Sequence, residues 1–167
     1  NSLEFKDILK LIADSKNLYL IGLQCHFATR RLDTWAPRAK GMLDLLDELG
    51  IIPDRIDLGG GLFGKMADSL KAQFDSDIPS YEEYALAVAP VFAEKFAKTK
   101  KKPTLLIEPG SALVGDCMKF VSKVINIKTI RGKAIATLLG SIYNINPTLN
   151  KKNPPIEVFA TGKDRKK

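Results

Sequence analysis

The segment Arg55-Ile56-Asp57-Leu58-Gly59-Gly60-Gly61 constrains this chain more than any other, because a short apolar strand runs into three glycines with no polar turn between. Glycines at a strand end let the backbone approach a ligand closely, typically a phosphate, and take angles that other residues avoid. Two further apolar runs end in equally unusual ways: Leu18 to Leu23 leads into Cys25-His26, and Thr104 to Ile107 leads into Glu108-Pro109-Gly110. Three strands that each deliver chemistry at the carboxyl end imply one shared site.

Helical patterns separate these strands. Phe5, Ile8, Leu9, Leu11 and Ile12 have helical spacing, closed by Ser15-Lys16-Asn17. Leu32, Trp35, Ala39, Met42, Leu43, Leu46 and Leu49 recur at three- and four-residue steps, and Gly50 stands where a helix-ending glycine belongs. Ser80-Tyr81-Glu82-Glu83 is a capping-box signature for a third helix, with Tyr84, Val88, Val91, Phe92 and Phe96 toward the core and Pro90 expected to kink it or force a local break. The alternation predicts parallel strands joined by crossover helices. Beyond Gly110 the pattern changes: Phe120 to Ile130 and Lys133 to Gly140 are rich in β-formers, joined by Arg131-Gly132, and predict an antiparallel hairpin.

Lys and Arg exceed Asp and Glu by 26 to 19, but much of the excess sits in Lys98 to Lys102 and Lys163 to Lys167. Without interleaved aromatic residues these read as a solvated loop and a tail, so no nucleic-acid partner is expected. No apolar run reaches the roughly 18 residues of a membrane span, and no signal peptide is evident, so neither membrane insertion nor secretion is expected. A chain starting at Asn1 rather than Met is expected to be cut or processed. Cys25 and Cys117 lack metal-site spacing and are expected to be small buried hydrophobes; no metal site is expected.

Gly59-Gly60-Gly61-Leu62-Phe63-Gly64 satisfies the dinucleotide-binding pattern GxGxxG. That reading requires the glycines to open a helix and a strand ending in an acidic residue about 20 positions on, whereas Lys71 to Asp77 is polar. His26, the glycines and Glu108 suit a coenzyme with a phosphate and a flat basic ring. Amides would hold the phosphate, an imidazole would stack on the ring and a carboxylate would keep a ring nitrogen protonated.

These motifs, in this order and at similar spacing, resemble the fold-type III pyridoxal-phosphate decarboxylases, the diaminopimelate, ornithine and arginine decarboxylase type. The resemblance rests on Gly22 to Thr29 with its His26 turn, on Ile56 to Gly61 and on Ile107 to Ser111. It implies an α/β fold: a partial (β/α) barrel of the alanine-racemase type over residues 1–115, followed by antiparallel β strands that begin a β domain over 116–167. It implies pyridoxal phosphate as cofactor, with His26 on the ring, Thr29 near the phosphate, Gly59, Gly60, Gly61 and Gly110 at the phosphate, and Glu108 on the pyridinium nitrogen. An amino-acid substrate, a homodimer when intact, a cytoplasmic location and carboxy-lyase activity follow as expectations.

Three departures are plain. Ser111 stands where the family has Arg. No Lys has the context of the family's Schiff-base Lys, and the partner-completing Cys-x-x-x-Asp segment is missing, so no catalytic residue is assigned. The resemblance therefore implies a piece of an enzyme roughly two to three times longer, inactive by itself and prone to association through exposed strand edges. A non-catalytic homologue and a racemase of the same barrel are the competing readings.

Overall fold

A computed structural model describes residues 3–145 and 152–160. The tail from Lys163 to Lys167 lies outside the described residues. Two compact units are distinguished, one of residues up to Gly64 together with Ile78–Gly115, the other of Lys65–Asp77 with the described residues from Asp116 onward.

The first unit carries a three-stranded parallel sheet in the order β1 (Gly22–Gln24), β2 (Arg55–Asp57), β3 (Thr104–Leu106). Hydrogen bonds continue past these spans toward the carboxyl ends: Cys25 N–H donates to Asp57 O at 2.9 Å, Leu58 N–H to Leu106 O at 3.0 Å and Glu108 N–H to Gly59 O at 2.8 Å. Strand order therefore follows chain order without reversal. Helix α2 (Trp35–Leu49) links β1 to β2, and α4 (Tyr81–Lys95) links β2 to β3. The two helices pack on each other, with the Trp35 and Tyr84 rings edge to face at 5.4 Å. Both crossovers thus cover the same face, as in a barrel wound in one direction and unlike a doubly wound sheet.

The helix boundaries follow from local chemistry. Gly50 ends α2 at φ 64°, its N–H donating to the Leu46 and Asp47 carbonyls. At the start of α4, Glu83 N–H donates to Ser80 Oγ and Ser80 N–H to Glu83 Oε2, so both bonds of the capping box form. Pro90 does not interrupt α4, which runs on to Lys95. Proline removes a donor to the carbonyl four residues back, here Leu86, and both residues lie on the exposed side where water can serve that oxygen.

Trp35, Ala39, Met42, Leu43 and Leu46 of α2 meet Ile56 and Leu58 of the central strand, with Tyr84, Val88 and Phe96 beside them. Trp35, Ile56 and Leu58 are the largest side chains wholly removed from solvent. Each apolar side chain so buried contributes about 1.5–3 kcal/mol. The outer strands are less covered: Leu105, Leu106 and Ile107 are all partly open, as are Leu18, Tyr19 and Ile21 before β1. Helix α1 (Leu3–Asp14) forms over the expected residues but buries none of them.

Pairing at β1 starts later than the apolar run from Leu18 suggests. The Asp54 and Arg55 N–H groups both donate to the Ile21 carbonyl at 2.9 Å, and β2 extends no further back, beyond Pro53. Residues 18–20 therefore have no ladder to join.

After the glycines the chain has no regular structure until α3 (Asp68–Lys71), and the short helix α5 (Ser111–Val114) follows Gly110. In the second unit, β4 (Val124–Ile130) pairs antiparallel with β5 (Lys133–Leu138), Ile130 opposite Lys133. Arg131 and Gly132 both have positive φ, 51° and 75°, the geometry of a tight hairpin turn. Helix α6 (Ile142–Ile145) follows. Cys117 is exposed, contrary to the expectation of burial, because it lies in the connection between Gly115 and the hairpin; Cys25 is half-buried. No helix among the described residues is long and apolar enough to cross a membrane.

Candidate cofactor site

Parallel pairing in register brings the three strand ends side by side. His26 follows β1, and its Nδ1 lies 3.0 Å from Glu108 Oε2 beyond β3, an ion pair when the ring is protonated. Both side chains are about half-exposed, 52% and 47%. Gln24 Nε2 approaches both Glu108 oxygens at 3.4 Å, so two strand ends hold this carboxylate. Nδ1 also lies 3.3 Å from the amide of Gly60. A single ring nitrogen cannot donate to Glu108 and accept from Gly60 at once; the closer, anionic acceptor favours the Nδ1–H form.

The glycines sit between these loops, and the structure shows why no larger residue fits. A Cβ on Gly59 would lie 2.4 Å from Cys25 O, one on Gly60 2.6 Å from Glu108 O, and one on Gly61 2.5 Å from Thr29 O. Gly59 and Gly61 also have φ of 68° and 95°. The run thus lets three loops touch through their main chains. Gly59 N–H donates to Asp57 Oδ1 at 2.8 Å, while Gly61 N–H has no acceptor among the described residues. Gly61 is also the more exposed of the three glycines. Thr29 contributes its carbonyl to the same junction. Gly110, φ 53°, lies exposed on the loop after Glu108, and a Cβ there would meet only Glu108 O, at 4.0 Å.

Two residues behind the site were not evident as functional from the sequence. Arg38 of α2 is buried, 6% exposed, and stacks on the Trp35 ring at 4.2 Å. Its Nη1 donates to Leu58 O at 3.0 Å and Gly60 O at 2.7 Å, and its Nη2 to Thr29 O at 3.3 Å and Phe27 O at 3.5 Å. Burial pulls its guanidinium below the ordinary arginine value. Tyr84 Oη donates to Arg30 O at 2.5 Å and accepts from Phe63 N–H at 3.4 Å, and burial pushes its phenol above the ordinary value. The available signal was positional: Arg38 is three residues after Trp35 and four before Met42, within the buried stripe of α2. Burial likewise raises the Cys25 thiol, although the Arg38 charge opposes it.

Among the described residues no group of three or more His, Cys, Asp or Glu side chains could hold a metal ion. A half-exposed imidazole and carboxylate, beside a glycine junction with a spare amide, fit an aromatic cofactor carrying a basic nitrogen and an anionic arm. The class follows from the sequence profile of the pyridoxal-dependent decarboxylases, whose pyridoxal-binding domain matches residues 2–115; the chain belongs to this family, and the domain's cofactor is pyridoxal phosphate.

Within that family the chain is similar to diaminopimelate decarboxylases. It is 31% identical to that of Neisseria meningitidis over 121 residues, 70% of this chain and 27% of the relative. It is 28% identical to that of Bacteroides thetaiotaomicron over 150 residues, 85% of this chain and 36% of the relative. The crystal structure of the M. jannaschii diaminopimelate decarboxylase superposes with a TM-score of 0.70 at 21% identity, covering 86% of this chain and 33% of that one. The chain spans about a third of the length of the relatives it matches. The likeness bears out the expected α/β barrel-type fold with antiparallel strands after it.

Proposed function

We propose that the intact protein is a pyridoxal-phosphate-dependent decarboxylase of an amino acid, and that residues 1–115 supply one part of its cofactor site. The observation that carries this reading is the meeting of His26 Nδ1 and Glu108 Oε2 at 3.0 Å, beyond the carboxyl ends of the two outer strands and across the glycine end of the central one. Bound there, pyridoxal phosphate supplies an electron sink for the pair left behind when a carboxylate departs as carbon dioxide. Glu108 would hold the proton on the ring nitrogen, and the contacts from His26 and Gln24 keep its carboxylate in place. His26 would lie flat on the ring, and Gly61 and Gly110 would offer amides to the phosphate. Gly59 and Gly60 act through the main-chain junction that their lack of side chains permits. Thr29 belongs to the same loop as His26 and flanks the phosphate end.

In this reading residues 116–167 begin a β domain, and the lysine that holds the cofactor covalently lies outside the chain. Diaminopimelic acid, the substrate named for the relatives, is the first to be tried, ahead of lysine, ornithine and arginine. Carbon dioxide release by the intact protein loaded with pyridoxal phosphate tests this. Glu108→Gln should lower kcat by about 10²-fold or more, since a neutral amide cannot hold the nitrogen proton as a carboxylate does. Absence of carbon dioxide from every amino acid tried, with cofactor bound, would overturn the reading.

A further inference from the structure

Arg38 is the only buried charged side chain among the described residues. No ion pair engages it there; its four hydrogen bonds all go to main-chain carbonyls, those of Phe27, Thr29, Leu58 and Gly60. Burying a cation is costly unless its donors are satisfied; here Nη1 and Nη2 are satisfied by two loops of the site described above, while Nε has no partner among the described residues. The consequence lies on the far side of each peptide.

A trans peptide points its N–H opposite to its C=O, and no peptide among the described residues is cis. Drawing the four carbonyls toward Arg38 therefore turns the amides of Ala28, Arg30, Gly59 and Gly61 away from it. Gly59 N–H is satisfied by Asp57. Those of Ala28, Arg30 and Gly61 have no acceptor among the described residues, and these three range from half-buried to exposed. Main-chain N–H groups without a partner are donors for an anion, and a cation on the carbonyl side polarises each peptide toward stronger donation.

We propose that Arg38 is a positioning residue for anion binding: from behind the site it sets the orientation of the Ala28, Arg30 and Gly61 amides as donors to the phosphate of the cofactor. This rests on the reading of the site as a pyridoxal phosphate site. It assigns the phosphate to amides from both loops, in place of the glycine run alone. It also gives a helix residue that touches no ligand a specific effect on one part of the ligand.

The test compares dissociation constants of pyridoxal phosphate and of pyridoxal, which lacks the phosphate, for the intact wild-type protein and for Arg38→Met and Arg38→Lys. The wild type should prefer the phosphorylated form. Both variants should lose about tenfold or more of that preference while pyridoxal binds within about threefold of wild type, a split that general loosening of the fold would not produce. If the wild type shows no preference, the cofactor reading fails and the inference with it. If the wild type discriminates and both variants discriminate equally, the inference alone fails. Should the variants not fold, the wild type with selectively ¹⁵N-labelled Ala, Arg and Gly decides. On titration with inorganic phosphate, the Ala28, Arg30 and Gly61 amides should shift and that of Gly59 should not; unmoved amides overturn the proposal.

Discussion

Gly50 and Gly60 separate two reasons for glycine that usually occur together, and substituting each by Ala tests the description of the glycine junction. Gly50 has φ 64° and nothing within 4 Å of an added Cβ, so Gly50→Ala incurs only the left-handed backbone cost, about 1–2 kcal/mol. Gly60 has no such φ, but its added Cβ would lie 2.6 Å from Glu108 O, where ordinary contact begins at 3.4 Å. The obstructing atom is main chain, and the same residue's N–H donates to Gly59 O at 2.8 Å, so the loop cannot yield without straining that bond. Overpacking of about 1–3 kcal/mol and partial loss of a hydrogen bond, about 1 kcal/mol, together give roughly 2–4 kcal/mol for Gly60→Ala. The variants should also differ in kind. Gly60→Ala presses on His26 Cε1 at 3.1 Å and should weaken cofactor binding, whereas Gly50→Ala, at the end of α2, should leave it unchanged. Urea unfolding of the intact protein and cofactor titration measure both effects. Wild-type stability and affinity in Gly60→Ala would refute the argument that main-chain contact makes glycine obligatory there.

Tyr84→Phe should destabilise the protein by about 1–3 kcal/mol, because the Arg30 carbonyl and Phe63 amide lose their shared partner. The Tyr84 phenol is raised by burial, so its stabilising effect is fully present below the ordinary tyrosine range near pH 10 and is lost as pH climbs through the higher folded-state value. Unfolding followed from pH 8 to 12 should therefore be less steep in the Phe variant. The Cys25 thiol is also raised by burial, so iodoacetamide at pH 8 should label it more slowly than a free cysteine, as peptide mass spectrometry would read. Pro90→Ala restores a donor for the Leu86 carbonyl on the exposed face of α4 and should stabilise by about 1–2 kcal/mol in the same urea assay.

What the sequence disclosed was whatever local chemistry determines. The reciprocal bonds of Ser80 and Glu83, the helix-ending Gly50 and the Arg131-Gly132 turn each need only their neighbours, and all form where expected. Features that depend on distant pairing were less legible. The apolar run from Leu18 looks like a strand from its first residue, yet ladder bonds begin only where β2 runs alongside. Cys117 has the composition of a core residue and lies on the surface. Pro90 was expected to disturb α4 because a missing donor matters most when water cannot replace it, and exposure is not written in the tetrapeptide around it. Within the candidate site, His26 and Glu108 were legible because each ends an apolar run. Arg38 was not, because its partners are carbonyl oxygens, which every residue type carries alike.

The junction of Gly59, Gly60 and Gly61 with the carbonyls of Cys25, Glu108 and Thr29 has a consequence for how such a fold diverges. Its shape is defined by atoms common to all amino acids, so most side chains around it can be exchanged without redrawing the frame. A TM-score of 0.70 at 21% identity is what such a frame permits. Freedom of that kind is unevenly distributed. It is wide on the exposed faces of the helices, and it ends abruptly at three consecutive positions where one extra carbon atom has nowhere to go.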